Sequence, residues 1–213
     1  MSFDPYEQSG GTVVAISGEG FCVVAADTRQ SSGYLINTRK DRKIAHIGGH
    51  TAVSGSGFSG DVREVAKRLR QENEVYKFSN GREMSCQTLA QFTMTHLYSR
   101  RFFPLYTFGL VCGLGADGHG AVFTFDPVGS YEREEYRAVG TGAKLVQSLL
   151  DSVVGNKNRS TPKRRLGADE AVQLCLDGLV AACTRDILTG DAAEVHVITS
   201  GGICTTEHAL CRD

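Results

Sequence analysis

The sequence predicts an α/β (α+β) protein built as a four-layer αββα sandwich, with two central sheets and helices on both outer faces. Short apolar runs broken by turn residues predict strands, and they occur in blocks. The helical stretches follow one another in pairs, whereas a doubly wound parallel sheet needs one helix after each strand. At 213 residues the chain suits a single domain over 1–213, and such a domain buries roughly 70% of its extended surface.

The first half of the chain opens with strands and closes with two helices. Turn-bounded apolar runs predict five strands, at 12–16, 21–26, 34–36, 44–47 and 51–54. The apolar period then becomes helical. The first helix is indicated by Val62, Val65, Ala66 and Leu69, and the second by Leu89, Phe92, Thr93, His96 and Leu97. Two successive helices are expected to cover one face of a sheet.

The second half repeats this order. Strands are predicted at 106–112, 121–125 and 131–139, joined by Gly and Pro turns. Helices are predicted at about 143–154 and 169–186, and the second carries Asp169 and Glu170 where the helix dipole favours acids. A closing hairpin is predicted at 195–199 and 203–207.

Composition excludes several classes of function. The net charge is −1 with both signs interspersed, which favours protein partners over nucleic acid. Seven cysteines without a Cys-x-x-Cys pair or a His/Cys metal spacing predict reduced thiols, no metal and an intracellular compartment. No signal peptide and no apolar run of about 18 residues is seen, so we expect a soluble protein. No cofactor is predicted.

Two glycine-rich segments imitate the dinucleotide fingerprint. The segment 55–60 follows a strand and opens a helix, but a second helix comes next where a nucleotide-binding unit needs a parallel strand. The segment 113–118 leads into another strand and predicts a hairpin turn. Neither segment therefore predicts nucleotide binding.

Two sets of basic residues offer weaker signals. The segment 156–166 has five basic residues around Pro162 and predicts an exposed loop, which we interpret as a solvated insertion in preference to a partner-binding patch. Its basic residues are Lys157, Arg159, Lys163, Arg164 and Arg165. His50, His96 and His119 are isolated and indicate surface or core positions rather than catalysis.

The opening residues give the sharpest functional signal. The runs 11–15 and 23–29, with Lys43, resemble the start of a mature proteasome beta subunit, an N-terminal nucleophile hydrolase of peptidase family T1. In that family a threonine nucleophile precedes an aspartate by sixteen residues and a lysine by thirty-two. Counting back from Asp27 and from Lys43 reaches Gly11 in both cases. Glycine has no hydroxyl to act as the nucleophile.

Thr12 is the alternative nucleophile, because active members are processed at a Gly-Thr bond. It lies one residue too close to both Asp27 and Lys43, and in a strand such a shift turns the side chain to the opposite face. A compensating deletion in the turn 18–20 would rescue the spacing. Ala15 matches the family without a gap, which favours the register that starts at Gly11.

The resemblance extends over residues 3–213. Gly57 and Asp61 match a cleft glycine and the acid that begins the first helix. The segments 140–143 and 185–190 keep the glycines of two catalytic motifs but replace serines, leaving Thr141, Asp186 and Thr189 as remnants. The segments 98–104 and 125–131, with the extension over 1–11, resemble the non-catalytic sixth class of beta subunit, also called beta type one.

The resemblance implies a structural subunit of the 20S beta ring, which takes part in ubiquitin-dependent and other protein degradation in the cytoplasm and nucleus. Its expected partners are other beta subunits in both rings and alpha-ring subunits. Phe102, Phe103 and Tyr106 are candidate interface anchors, with core packing as the alternative. The neighbouring chymotrypsin-like site is implied to meet three residues of one loop, Asp126, Pro127 and Ser130. The alternative for Asp126 is turn capping.

Two rival functions stay open at the level of sequence. A self-processing threonine peptidase would use Thr12 with Asp27, Lys43, Thr141 and Asp186. A stand-alone binding module of the same fold would be a monomer.

Overall fold

Sixteen helices and strands make up the described part of the chain, which in this computed structural model comprises residues 6–157, 160 and 165–210. In chain order they are β1 Thr12–Gly18, β2 Phe21–Asp27, β3 Gln30–Ser32, β4 Leu35–Thr38, β5 Ile44–Gly48, β6 Thr51–Gly57, α1 Ser59–Asn80, α2 Cys86–Ser99, β7 Thr107–Leu114, β8 Gly120–Phe125, β9 Tyr131–Glu134, β10 Tyr136–Gly140, α3 Ala143–Val153, α4 Ala168–Cys183, β11 Ala192–Thr199 and β12 Gly202–Ala209.

Two five-stranded antiparallel sheets form the middle layers. The first has the order β10-β1-β2-β11-β12 and the second β5-β6-β7-β8-β9, while β3 and β4 form a separate two-stranded sheet. Buried apolar side chains form three clusters: between the sheets, between the first sheet and α3 with α4, and between the second sheet and α1 with α2. The predicted four-layer αββα fold is confirmed.

Strand β2 explains why the middle layers are so apolar. Cys22 and Val24 pack toward the second sheet, whereas Phe21 and Val23 pack toward the helices. Because both faces are covered, the strand is apolar from Phe21 to Ala26 and does not alternate with polar residues.

The helix starts differ in how they are capped. Ser85 precedes α2, and its Oγ accepts a hydrogen bond from Thr88 N at 3.1 Å. Phe58 precedes α1 and offers no such bond. Instead, Ser9, which is 50 residues earlier in the chain, lies beside the start of α1, and its Oγ accepts a hydrogen bond from Ser59 N at 3.0 Å.

Two predicted segments differ from the structure, and one strand was not predicted. The predicted strand 131–139 is two strands, β9 and β10, which belong to different sheets. The chain crosses between the sheets at Glu135, whose carbonyl accepts from both N and Oγ of Ser17. Strand β6 extends through Gly57, so half of the glycine-rich segment 55–60 is strand, and β3 was not predicted.

Across the described residues, no helix is both long and apolar enough to span a bilayer.

In the predicted loop 156–166, Lys157 and Arg165 are exposed. Lys157 pairs with Asp151, and Arg165 pairs with Glu19. Arg159, Pro162, Lys163 and Arg164 lie outside the described residues.

Candidate functional site

A buried ion pair lies at the end of β2. Lys43 Nζ donates to Asp27 Oδ1 at 2.7 Å and to the backbone carbonyls of Asp27 and Arg29 at 2.9 and 2.6 Å. Burial raises the pKa of the Asp27 carboxyl, while Lys43 and the amides of Thr12 and Gly190 oppose that rise. The ammonium group therefore has three acceptors within the protein and is held in one position.

Gly11 lies directly against this ion pair. A Cβ atom built on Gly11 would stand 2.3 Å from Lys43 Nζ and 2.8 Å from Asp27 Oδ1. Its φ of +91° is a backbone conformation that residues with side chains rarely adopt. The position that faces the lysine therefore has no hydroxyl, and a side chain there would have to displace the Lys43 ammonium group.

Thr12 turns its side chain the other way, into a hydroxyl network. Its Oγ1 accepts from Gly142 N at 3.0 Å and lies 2.7 Å from Thr189 Oγ1. Thr189 donates its single hydroxyl proton to Asp186 Oδ2 at 2.6 Å, so Thr12 is the donor to Thr189. Thr141 also donates to Asp186.

These contacts divide the predicted remnants into two groups. Asp27 and Lys43 meet at Gly11, whereas Thr141, Asp186 and Thr189 surround the hydroxyl of Thr12. The backbone links them, because Thr12 N donates to Asp27 Oδ1 at 2.8 Å.

The segment before Gly11 occupies the cleft between β3 and the end of β6. Ser9 N donates to Gly57 O at 2.8 Å, and Ser31 N donates to Ser9 O at 3.0 Å. Gly57 has φ +125°, and a Cβ there would stand 2.4 Å from Tyr106 O. Ser9 thus forms backbone hydrogen bonds on both sides, to β3 and to the end of β6, as an added strand does.

Sequence reasoning missed this role of Ser9. The available signal was its place in a run of small residues, Ser9 to Gly11, because only small residues fit where two backbones approach closely.

A small cavity beside the cleft holds little more than a water molecule. It measures about 20 Å³ and is lined by residues including Ser9, Lys43 and Ser56. Arg63 closes it from one side, with Nη2 placed 2.5 Å from Asp41 Oδ1. A substrate side chain has no pocket at this position.

Comparison with known protein families matches residues 7–198 to the proteasome subunit family. The chain belongs to the proteasome subunit family. The recognition of a proteasome beta subunit from the opening residues is confirmed, and members of this family assemble into a multi-subunit core.

Relatives named as proteasome beta subunits cover nearly the whole chain. Proteasome subunit beta type-1-B of Carassius auratus is 42% identical, over 94% of this chain and 85% of the fish protein. Probable proteasome subunit beta type-6 of Schizosaccharomyces pombe is 39% identical, over 99% and 98%. Proteasome subunit beta type-6 of Saccharomyces cerevisiae is 37% identical, over 99% and 92%.

Asp126 organises the loop between β8 and β9. Its Oδ1 accepts from Val128 N at 3.1 Å and from Ser130 N at 2.7 Å. The residue therefore caps a turn, as the alternative interpretation of the sequence proposed. Asp126 and Ser130 also line an open groove of about 520 Å³, which Gln8 of the N-terminal extension borders.

The predicted aromatic anchors differ in exposure. Phe102 is 96% exposed and Phe103 is 65% exposed, so neither packs in the core, while Tyr106 is half-buried. Tyr6 joins this group. Its ring centroid lies 5.6 Å from that of Tyr106 and 6.1 Å from that of Phe103, and its hydroxyl donates to Pro104 O at 3.2 Å.

The isolated histidines take the places expected of them in the sequence. His50 and His119 are exposed, and His96 is half-buried against Phe92. Among the residues described, no group of three or more His, Cys, Asp or Glu side chains could hold a metal ion.

Proposed function

We propose that this chain is a non-catalytic structural subunit of the 20S proteasome beta ring that supports assembly of a threonine endopeptidase core. The observation that carries this proposal is Gly11. It occupies the position facing Lys43 and Asp27, where active family members have the nucleophile, and a Cβ there would stand 2.3 Å from Lys43 Nζ. None of the described residues places a hydroxyl in hydrogen-bond contact with Lys43 Nζ.

The filled cleft supports the same proposal. Ser9 takes up the backbone donors and acceptors of Gly57, Ser31 and Ser59. An incoming peptide would have to displace all three hydrogen bonds, and the adjoining cavity of about 20 Å³ could not receive its side chain.

The rival function, a self-processing peptidase, would require Thr12 to act as the nucleophile. Its nitrogen would become the free amine that serves as base, but its hydroxyl points to Thr189 and Gly142, away from Lys43. Lys43 is fully engaged with Asp27 and two carbonyls. The geometry therefore favours the structural function.

The intact mass of the chain, taken from its native assembly and denatured, tests the proposal. A mass that includes residues before Gly11 leaves no free amine at Thr12 and supports a structural subunit. A mass that starts at Thr12 overturns it. As a second arm, Thr12→Ala should leave the peptidase activities of the assembled particle in place, whereas the rival function requires that one of them be lost.

We further propose that the groove beside Asp126 borders the chymotrypsin-like site of a neighbouring beta subunit, as the resemblance implies. Pro127 and Ser130 belong to the same turn, and the turn is ordered by the Asp126 carboxylate. Asp126→Ala should raise KM for chymotrypsin-like peptide substrates in assembled particles and leave the other peptidase activities unchanged. An unchanged KM would contradict this function for the loop.

The remaining parts of the proposal concern partners and location. Phe102, Phe103 and Tyr106 are proposed as anchors for an adjacent beta subunit, and Tyr6 extends the same surface. Other beta subunits in both rings and alpha-ring subunits are the proposed partners, in the cytoplasm and nucleus. Fluorescent tagging tests the location, and exclusion from the nucleus would contradict it.

We also propose that the chain acts as one domain, with residues 1–11 as an extension and 156–166 as an exposed basic loop.

A further inference from the structure

Two histidines meet across the gap between the sheets at one side of the sandwich. His46 is in β5, the edge strand of the second sheet, and His196 is in β11 of the first sheet. His46 Nε2 lies 2.6 Å from His196 Nδ1, and the rings are nearly perpendicular with centroids 4.7 Å apart. This contact directly links the two middle layers.

The two histidines share their strand faces with apolar residues of the core. Ile44 and Ile198, two residues away on each strand, belong to the apolar cluster between the sheets. Because side chains two apart share one face of a strand, His46 and His196 continue that cluster with ionisable groups. His196 is 2% exposed, whereas His46 is exposed to solvent.

A buried carboxylate completes the arrangement. Glu194 Oε1 lies 3.0 Å from His196 Nε2, a contact that becomes an ion pair only when the imidazole is protonated. His196 lowers the pKa of Glu194, against the effect of burial. The result is a series of groups that runs from a buried carboxylate through a buried imidazole to an exposed imidazole.

Charges from the surrounding elements limit how many protons this series can hold. Arg70 of α1 donates to His46 O at 2.7 Å, and Arg42 acts on Glu194 from the segment before β5. On β12, Glu207 is opposite Glu194. Burial lowers the pKa of His46, and His196 and Arg70 lower it further, while Glu194 opposes them.

The geometry of the facing nitrogens sets the limit. With at most one imidazole protonated, one nitrogen donates and the other accepts across the 2.6 Å contact. If both rings are protonated, each nitrogen carries a hydrogen, and two donors and two positive charges face each other. The buried carboxylate of Glu194 cannot balance both imidazolium groups beside Arg42 and Arg70, and Glu207 opposite it is exposed to solvent.

We propose that His46, His196 and Glu194 form a pH-sensitive latch that holds β5 against β11 and releases this edge when both imidazoles are protonated. The direction of the pH effect on folding stability depends on how many protons the folded and unfolded chains bind. An unfolded histidine titrates near pH 6.5. Folded His46 takes up its proton only at lower pH, so the unfolded chain binds more protons. The contribution to stability is complete above about pH 6.5 and falls as the pH drops below it.

Urea unfolding of the full chain at pH 7.5 and pH 5.5 tests the latch. His46→Gln keeps a donor for His196 but removes the titration, and His119→Gln removes an exposed histidine elsewhere. On acidification from pH 7.5 to pH 5.5 the folding equilibrium constant should fall in all three proteins. The factor by which it falls should be at least roughly three times larger for the wild type and His119→Gln than for His46→Gln. Equal losses in all three proteins would overturn the proposal.

Two measurements on the wild type keep the proposal testable if His46→Gln does not fold. Hydrogen exchange should show amides of β5 losing protection at pH 5.5 before those of β8. Histidine ring NMR should show that His46 and His196 do not both become protonated in the folded chain. Independent protonation of both rings, with β5 still protected, would overturn the latch.

Discussion

Single residues decide the chemistry of this chain, and Gly11 is the most consequential. Its position against Lys43 could be predicted, because two independent spacings, from Asp27 and from Lys43, agree on it. The direction of the Thr12 hydroxyl also follows from strand periodicity. The positive φ of Gly11 and the full set of acceptors around Lys43 could not be predicted, since they depend on backbone segments distant in sequence.

Restoring a threonine should therefore not restore an active site. Gly11→Thr would force a side chain toward Lys43 and strain the backbone at φ +91°. We expect a loss of roughly 3–5 kcal/mol in unfolding free energy from the disrupted ion pair. Urea unfolding measures this loss, and peptide hydrolysis by assembled particles should show no new activity.

Gly118→Thr is the matched control for this experiment. Gly118 has φ +76°, but a Cβ there meets nothing within 4 Å, so only backbone strain of about 1–2 kcal/mol is expected. Equal losses for the two variants would contradict the role of the ion pair. A new peptidase activity in Gly11→Thr would contradict the expectation that a threonine at this position is inactive.

At the scale of elements, the strands and helices follow local patterns, and the exceptions arise from long-range contacts. The predicted strand 131–139 has an unbroken β pattern, but Glu135 carries the chain from one sheet to the other, where Ser17 binds its carbonyl. The His46–His196 contact escaped prediction for the same reason, because 150 residues separate the two histidines. The periodicity of apolar residues identifies a strand or a helix, but it does not identify the distant segment that contacts it.

Helix α1 gives an element-scale prediction, because a distant residue caps it. Ser9→Ala removes the acceptor for Ser59 N and should cost about 1 kcal/mol, within the range for lost N-caps. Hydrogen exchange should accelerate at residues 59–61. Ser85→Ala is the control, since it removes the local cap of α2 and should accelerate exchange at Thr88 instead. Unchanged exchange at the start of α1 in Ser9→Ala would show that the extension does not cap this helix.

At the scale of the whole molecule, the N-terminal extension connects three features. Ser9 fills the cleft and caps α1, Gln8 borders the groove beside Asp126, and Tyr6 packs on the aromatic residues near Pro104. These contacts make the described residues before Gly11 part of the folded structure. The same residues thus fill the cleft beside Lys43 and contribute to the surface that we propose for a neighbouring subunit.

The aromatic surface gives a prediction that separates assembly from folding. Phe102 is 96% exposed, so Phe102→Ser should leave the thermal unfolding midpoint of the isolated chain unchanged. If the ring anchors a neighbouring subunit, its removal should reduce incorporation into assembled particles roughly tenfold, the effect of about 1.4 kcal/mol. Phe102→Tyr retains the aromatic ring and should incorporate normally. Normal incorporation of Phe102→Ser in competition with the wild type would exclude Phe102 as an anchor, and a lowered midpoint would instead assign it to folding.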